Sequence, residues 1–154
     1  LNAIAEDRLF ISVITVGEIQ HGIERLPDSH RKTELLVWMN TALLERFAGR
    51  MVPIDAPTMH QWGSLTARME ALGQPLGLMD SLIIASALQH NLIVATRNVT
   101  DFLPGGVQVI NPWEYAPPAG SRCWRLFFCA APNARAAGFR WPSRYRSGGP
   151  GFRR

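Results

Sequence analysis

The spacing of apolar residues changes from a helical to a strand-like period between residues 78 and 102. Apolar side chains recur at helical intervals over residues 82–88, after the acid Asp80, and this pattern ends at residues 90–91. The continuous apolar run at residues 92–95 predicts a buried strand, because a strand covered on both faces needs no polar alternation. Together they predict one helix–strand unit of an α/β fold.

Polar residues follow the predicted strand immediately: Thr96, Arg97, Asn98 and Asp101. Open α/β sheets bind their ligands just beyond the carboxyl ends of the strands. We therefore expect this segment to form part of a binding or catalytic site.

Periodicity predicts the remaining elements in the same way. Short apolar runs predict strands at residues 9–12, 51–54 and 107–110, and helical spacing predicts helices at residues 15–26, 30–48 and 55–72. Gly49 and Gly73 are expected to lie just beyond the ends of the last two helices. This order of elements predicts an α/β fold with a small, mostly parallel sheet flanked by helices.

The composition changes abruptly at residue 116. Residues 1–115 hold 8 Lys and Arg and all 12 acids, a balance of −4, whereas residues 116–154 hold 8 Arg and no acid. We therefore expect a folded domain over residues 1–115 and an Arg/Pro/Gly-rich tail over residues 116–154 that is disordered or an out-of-frame extension. The alternative is an RNA-binding tail, since Arg interleaved with aromatic residues can contact phosphates and stack on bases.

The remaining composition disfavours several classes of protein. A chain of 154 residues with 47% apolar content can bury one core. We expect neither a membrane span, because no run of about 18 apolar residues occurs, nor a signal peptide. Cys123 and Cys129 lie in the tail at a spacing that is a poor zinc signal, and the lack of cysteine in residues 1–115 is compatible with a cytoplasmic protein.

Three acids and one amide are placed where they can converge. Glu18 and Asp80 each lie near the start of a predicted helix, and Asn98 and Asp101 follow a strand. Parallel strands can bring these positions to one edge of the sheet. Converging carboxylates need a cation between them, and oxygen ligands suit Mg²⁺ or Mn²⁺ rather than zinc. Such an ion can activate water and stabilise charge on a phosphate, which is the chemistry of a metal-dependent nuclease.

Each of these residues also has a purely structural explanation. Thr15 and Glu18 have the spacing of a capping box, and Asp80 suits the N-terminus of a helix. Asn98 and Asp101 have the spacing of a helix cap and its partner. Taken singly, the structural explanations are favoured; the joint placement of the four residues favours a metal site.

Three sequence blocks stand out in order: ISVITVGEIQHGIERLP, GLMDSLIIASALQHNLIVATRNVTDF and VQVINPWEY. They resemble the PIN-domain ribonuclease toxins of the VapC and FitB type, and the resemblance covers about residues 1–115. It implies a three-layer PIN-like α/β domain that gathers acids around Mg²⁺ or Mn²⁺ and cleaves RNA. It also implies a homodimer, and a cognate antitoxin protein that blocks the site in a type II toxin–antitoxin module.

The resemblance assigns roles to particular residues. Glu18 corresponds to the acid of the family's T-x-x-E helix, and Asp80 to the acid before its I-I-A-S/T-A helix. Asn98 and Asp101 correspond to the polar and acidic end after the A-T-R strand, and either can be the last member of the metal site. Thr96 corresponds to the hydroxyl residue there and would orient the acids.

The chain departs from the family pattern at its start. The family begins with a strand of the pattern L-L-D-T-N, which carries an acid, before the equivalent of Leu1. We therefore expect an N-terminal truncation that empties a central position of the sheet, exposes apolar surface on its neighbours and leaves little or no ribonuclease activity. The alternative function is a non-catalytic PIN remnant that dimerises or binds an antitoxin.

Overall fold

Short parallel strands form a sheet with helices on both of its faces. The computed structural model describes residues 6–112, 114 and 126–128. Within them the strands are β1 Leu9–Ser12, β2 Met51–Val52, β3 Ile93–Ala95, β4 Val109–Ile110 and β5 Leu126–Phe128. The helices are α1 Val13–Glu24, α2 His30–Trp38, α3 Leu44–Arg46, α4 Ala56–Ala71, α5 Leu78–Gln89 and α6 Val99–Phe102. A π-helical turn, Met39–Leu43, joins α2 to α3, and 3₁₀ turns lie at Glu6–Arg8 and Leu103–Gly105.

The strand order in the sheet is β2-β1-β5-β3-β4. On one side of the centre, Phe10 of β1 lies opposite Phe127 of β5, and on the other side Val94 of β3 lies opposite Phe127. Val94 also lies opposite Val109 of β4. All pairs among the described strands are parallel, so the predicted α/β fold with a mostly parallel sheet is confirmed.

Two apolar clusters cover the two faces of the sheet. Successive side chains of a strand point to opposite faces, so Leu9 and Ile11 pack in one cluster and Phe10 packs in the other. The first cluster is completed by buried residues of α1 and of the α2–α3 segment: Ile23, Met39, Leu43 and Phe47. The second is built mainly from α4, α5 and β3, with Leu65, Met69, Ile83, Ile84 and Val94 among its buried residues. Among the described residues, no helix is long and apolar enough to cross a membrane.

The long helix predicted at residues 30–48 is present but changes its period. Its middle is the π-helical turn, in which two side chains compete with the backbone for carbonyl groups. The Asn40 side-chain amide donates to Leu36 O and the Thr41 hydroxyl donates to Val37 O, both at 2.8 Å. Gly49, beyond the end of the helix, has the left-handed φ of +72° that was expected of it.

Three residues of the predicted tail, Leu126–Phe128, belong to the sheet. They form β5, the middle strand of the sheet. The prediction that residues 116–154 are a disordered or foreign tail otherwise falls outside the described residues. β5 also fills the position between β1 and β3, so the described structure does not show the empty central position expected from the family pattern. The physical reason is that β1 and β3 each present a row of main-chain groups that needs a partner, and an apolar segment can supply one.

Candidate metal centre

Glu18 projects from the second turn of α1, and this position excludes the capping explanation for it. Helix α1 follows β1 without a loop, and its N-cap is Ser12, whose hydroxyl accepts a hydrogen bond from Ile14 N at 3.1 Å. The capping box predicted for Thr15 and Glu18 is therefore wrong, because Thr15 is already a buried residue inside the helix. Glu18 is left without a structural role at the helix end.

The carboxylate of Glu18 is partly buried and incompletely bonded. Its Oε2 atom is buried and has no hydrogen-bond partner among the described residues. Burial of the side chain, and next the negative charge of Asp80, raise the pKa of Glu18 to about 7. A buried carboxylate oxygen without a donor is costly, so the site favours either a proton or a cation on Glu18.

Asp80 lies in the first turn of α5, as predicted. The N-cap residue of α5 is Gly77, and a Cβ atom at Gly77 would lie 3.3 Å from Oδ2 of Asp80, which is a tight contact. Burial raises the pKa of Asp80, and the charge of Asp101 raises it further. Asp80 therefore interacts with both other acids: its negative charge raises the pKa of Glu18, and the negative charge of Asp101 raises the pKa of Asp80.

The segment after β3 is folded around Thr96. The Thr96 side chain is buried, and its Oγ1 accepts a hydrogen bond from Asn98 N at 3.1 Å. Asn98 is the N-cap residue of α6 but makes no side-chain cap bond; its amide nitrogen donates to Oδ2 of Asp101 instead. Thr100 contributes a weaker contact, with Oγ1 at 3.4 Å from Oδ1 of Asn98. Thr96 thus holds Asn98, and Asn98 holds the carboxylate of Asp101.

The structure links the predicted residues in pairs rather than in one cluster. Glu18 interacts with Asp80, Asp80 with Asp101, and Asp101 with Asn98. No group of three or more His, Cys, Asp or Glu residues within the part of the chain that the structure describes is arranged to hold a metal ion. The donor set nonetheless fits a hard divalent cation, because it offers carboxylate oxygens and one of them is buried without a partner.

Two residues that support Asp80 were not recognised in the sequence. Ser81 is buried, accepts a hydrogen bond from Nε1 of Trp62 at 2.9 Å and donates to Leu78 O at 2.8 Å, which ties the first turn of α5 to α4. Gly77 admits the carboxylate close to the backbone, but in the sequence it has the pattern of an ordinary loop glycine. A serine beside an acid at the start of an apolar helix is the one signal that could have identified Ser81.

The fold and these residues define a class of protein: a parallel α/β domain with carboxylates that interact in pairs near the carboxyl ends of its strands. The chain belongs to the PIN-domain family, because the family model described as PIN domain matches residues 1–102. The resemblance found in the sequence is thereby confirmed.

The relatives of the chain are toxins of the VapC and FitB type. The chain is 34% identical to VapC ribonuclease Y4jK of Sinorhizobium fredii over 71% of its own length and 79% of the relative's. It is 32% identical to toxin FitB of Neisseria gonorrhoeae over 74% and 82% of the two chains. The fold is similar to the solved structure of FitAB bound to an IR36 DNA fragment, with a TM-score of 0.71 and 30% identity over 76% of this chain and 82% of that chain.

Proposed function

We propose that the protein is a Mg²⁺- or Mn²⁺-dependent endoribonuclease, the toxin of a type II toxin–antitoxin module. The observation that carries this proposal is the partly buried Glu18, whose unpartnered Oε2 lies in the field of a second carboxylate, Asp80. Two such groups are stabilised in their charged forms at neutral pH when a cation neutralises them. The relationship to a VapC ribonuclease supports RNA as the substrate.

The donor set indicates which residues would hold the ion. Glu18 and Asp80 would bind it through their carboxylate oxygens, and Asp101, which is exposed and engaged by Asn98, would contribute directly or through water. The bound ion would supply a Lewis acid that activates a water molecule and neutralises charge on the phosphate. The reaction we propose is hydrolysis of an RNA phosphodiester: water gives a hydroxyl to phosphorus and a proton to the leaving ribose oxygen, as one P–O bond breaks.

The residues after β3 position the acids in this proposal. Thr96 is buried in the sheet edge and fixes the backbone of Asn98 through a 3.1 Å hydrogen bond. The Asn98 side-chain amide then holds Oδ2 of Asp101, while Oδ1 accepts only a long hydrogen bond of 3.5 Å from the Thr100 hydroxyl, which a ligand could replace. Asn98 and Thr96 would therefore be positioning residues, and Glu18, Asp80 and Asp101 would hold the ion, Asp101 directly or through water.

We further propose three features of the biological setting. A cognate antitoxin protein binds the chain; the structural similarity to FitAB, solved as a complex, supports this partner. The chain forms a homodimer, as the resemblance to the family implies. It acts in the cytoplasm, where its RNA substrate is found.

A non-catalytic domain that dimerises or binds an antitoxin is the second candidate. One observation favours it: the acids of the described residues interact in pairs, and no three of them are arranged to hold an ion. This candidate predicts antitoxin binding and dimerisation without cleavage of RNA.

The test is cleavage of a mixed RNA substrate by the full chain, with Mg²⁺ or with EDTA. We expect weak cleavage that occurs only with Mg²⁺, and a further loss of about 100-fold in rate for Asp80→Asn, a size typical for removal of one charge-stabilising group. Asp7→Asn, a substitution of an exposed acid at the far end of β1, is the matched control and should cleave normally. Cleavage that persists in EDTA or in Asp80→Asn would contradict the proposal. Absent cleavage with intact antitoxin binding would establish the second candidate.

A further inference from the structure

The middle strand of the sheet is supplied by the Arg-rich segment that follows the acidic part of the chain. β5 pairs with β1 on one side and with β3 on the other, in parallel and in continuous register. The three rows of the register are Leu9–Leu126–Ile93, Phe10–Phe127–Val94 and Ile11–Phe128–Ala95. β1 and β3 are therefore joined through β5 and not to each other.

The sequence of β5 suits this central position. Strands inside parallel sheets are continuous apolar runs, and Leu126–Phe128 is such a run directly after Arg125. Residues 111–125 connect β4 to β5, and this length exceeds the dozen or so residues that a parallel connection requires. Without β5, the facing edges of β1 and β3 would lose their main-chain partners in the interior of the sheet.

The strands that β5 joins carry the two halves of the candidate metal centre. Ser12 is the last residue of β1 and Thr96 directly follows β3. Both are buried, and each side-chain hydroxyl accepts a hydrogen bond from a main-chain N–H two residues further on. Ser12 begins the helix that carries Glu18, and Thr96 begins the segment that carries Asp101. Because adjacent strands lie about 5 Å apart, β5 keeps these two starting points about 10 Å apart.

We propose that residues 126–128 are a working part of the PIN domain: an inserted strand that holds β1 and β3 together and sets the spacing between Glu18 and Asp101. The consequence for metal binding rests on the proposed function; the structural role of the strand does not. If β5 is displaced from the sheet, β1 and β3 either separate or pair directly with each other. Both outcomes change the distance between Glu18 and Asp101. The domain therefore extends beyond residue 115, to Phe128 at least.

Hydrogen–deuterium exchange of the full chain tests the structural role directly. We expect amides of residues 126–128 to exchange at least 100-fold more slowly than unstructured peptide, and to open together with those of β1 and β3. Exchange of residues 126–128 at the unstructured rate, beside protected β1 and β3, would overturn the proposal.

A pair of proline variants tests the link to the site. Proline removes a main-chain donor and is excluded from central strands, so Phe127→Pro should abolish protection in β1 and β3 and weaken Mn²⁺ binding at least tenfold. Phe139→Pro makes the same substitution in the same segment outside residues 126–128, and both properties should stay at the wild-type level. Unchanged protection and unchanged Mn²⁺ affinity in Phe127→Pro would overturn the proposal.

The two proposals fail in different ways in these experiments. If residues 126–128 of the wild-type chain are protected from exchange but the chain binds no Mn²⁺, the metal-dependent function is refuted and the inserted strand is supported. If the chain binds Mn²⁺ while residues 126–128 are unprotected, the inserted strand is refuted and the proposed function is not affected.

Discussion

Glu18 lowers the stability of the folded protein through the same features that would allow it to bind a cation. A carboxylate that lacks one hydrogen-bond donor and lies beside Asp80 destabilises the folded chain when it is ionised. The same two features prepare it to receive a cation. We therefore expect the apparent stability of the protein to depend on divalent metal, since binding to the folded state alone shifts unfolding by mass action.

Substitution of Glu18 by Gln should stabilise the metal-free protein above pH 7. The folded-state pKa of Glu18, about 7, lies above the ordinary value of 4.5. The ionisation of Glu18 therefore lowers the free energy of unfolding only above pH 4.5, and this loss is complete above pH 7. After allowance for partial exposure, we expect Glu18→Gln to gain about 2 kcal/mol at pH 8 and little at pH 4.5. Urea unfolding in EDTA at both pH values measures this difference.

Glu70→Gln provides the control, because Glu70 is an exposed acid on the outer face of α4. It should change stability by no more than about 0.5 kcal/mol at either pH. A gain for Glu18→Gln that is the same at pH 4.5 and pH 8 would show that ionisation of Glu18 is not the cause.

Asn98 should matter for activity more than for stability. Asn98→Ala removes the amide that holds Asp101, and a carboxylate displaced by about 1 Å can lower a rate by about 100-fold. The hydrogen bond is exposed, so we expect a loss of stability of only about 1 kcal/mol. RNA cleavage and thermal unfolding of the same preparation measure the two effects. Gln108→Ala, a change of an exposed amide just before β4, should affect neither; equal cleavage by Asn98→Ala and wild type would refute the positioning role.

At the scale of elements, the junction between β1 and α1 brings Glu18 to the site. The strand passes into the helix at Ser12 without a loop, so the orientation of the helix is fixed by the sheet. The sequence suggested a start at Thr15 because Thr15 and Glu18 have capping-box spacing. The prediction failed because Ser12 also has a capping hydroxyl, and only the end of the strand decides which of the two residues begins the helix.

Two cap substitutions separate the general effect of a helix cap from the special effect of this junction. Ser12→Ala and Ser29→Ala remove the caps of α1 and α2, and each should cost about 1 kcal/mol in urea unfolding. Only Ser12→Ala should also reduce RNA cleavage, because α1 carries Glu18. Equal activity of the two variants would contradict the link between the junction and the site.

The turn after α6 packs closely against α5. A Cβ atom at Gly105 would lie 2.7 Å from Cγ2 of Ile84, which is fully buried. We expect Gly105→Ala to lower the free energy of unfolding by about 2 kcal/mol through overpacking. Gly63→Ala, in the interior of α4 with open space around it, should instead raise stability by about 0.5–1 kcal/mol. Thermal unfolding of both variants checks the contrast, and a neutral Gly105→Ala would show that α5 can move away.

At the scale of the whole molecule, the sequence predicted the layers better than it predicted the centre of the sheet. Strands β1 to β4 and the long helices follow from local periods, which each segment carries in its own residues. β5 could not be predicted in this way, because a short apolar run in an Arg-, Pro- and Gly-rich segment carries no period. Its pairing with β1 and β3 is non-local and became visible only in the assembled sheet.

The candidate site shows the same division between local and non-local information. The chain places Glu18, Asp80 and Asp101 near the ends of strands and at the starts of helices, and parallel topology predicts that they share one edge. The distances between them depend on how α1 and α5 pack and on which strand separates β1 from β3. The interaction of the acids in pairs therefore could not be read from the sequence, and neither could the orphan oxygen of Glu18.

The most direct test of the proposed metal centre is a titration of the full chain with Mn²⁺ at pH 6 and pH 8, in which electron paramagnetic resonance measures binding. We predict one site whose affinity falls at least tenfold at pH 6, because a proton competes for Glu18 below its pKa of about 7. Glu18→Gln and Asp80→Asn should each abolish that site, while Glu70→Gln keeps it. Binding with the same affinity in all four proteins, or no binding in the wild type at pH 8, would contradict the metal centre.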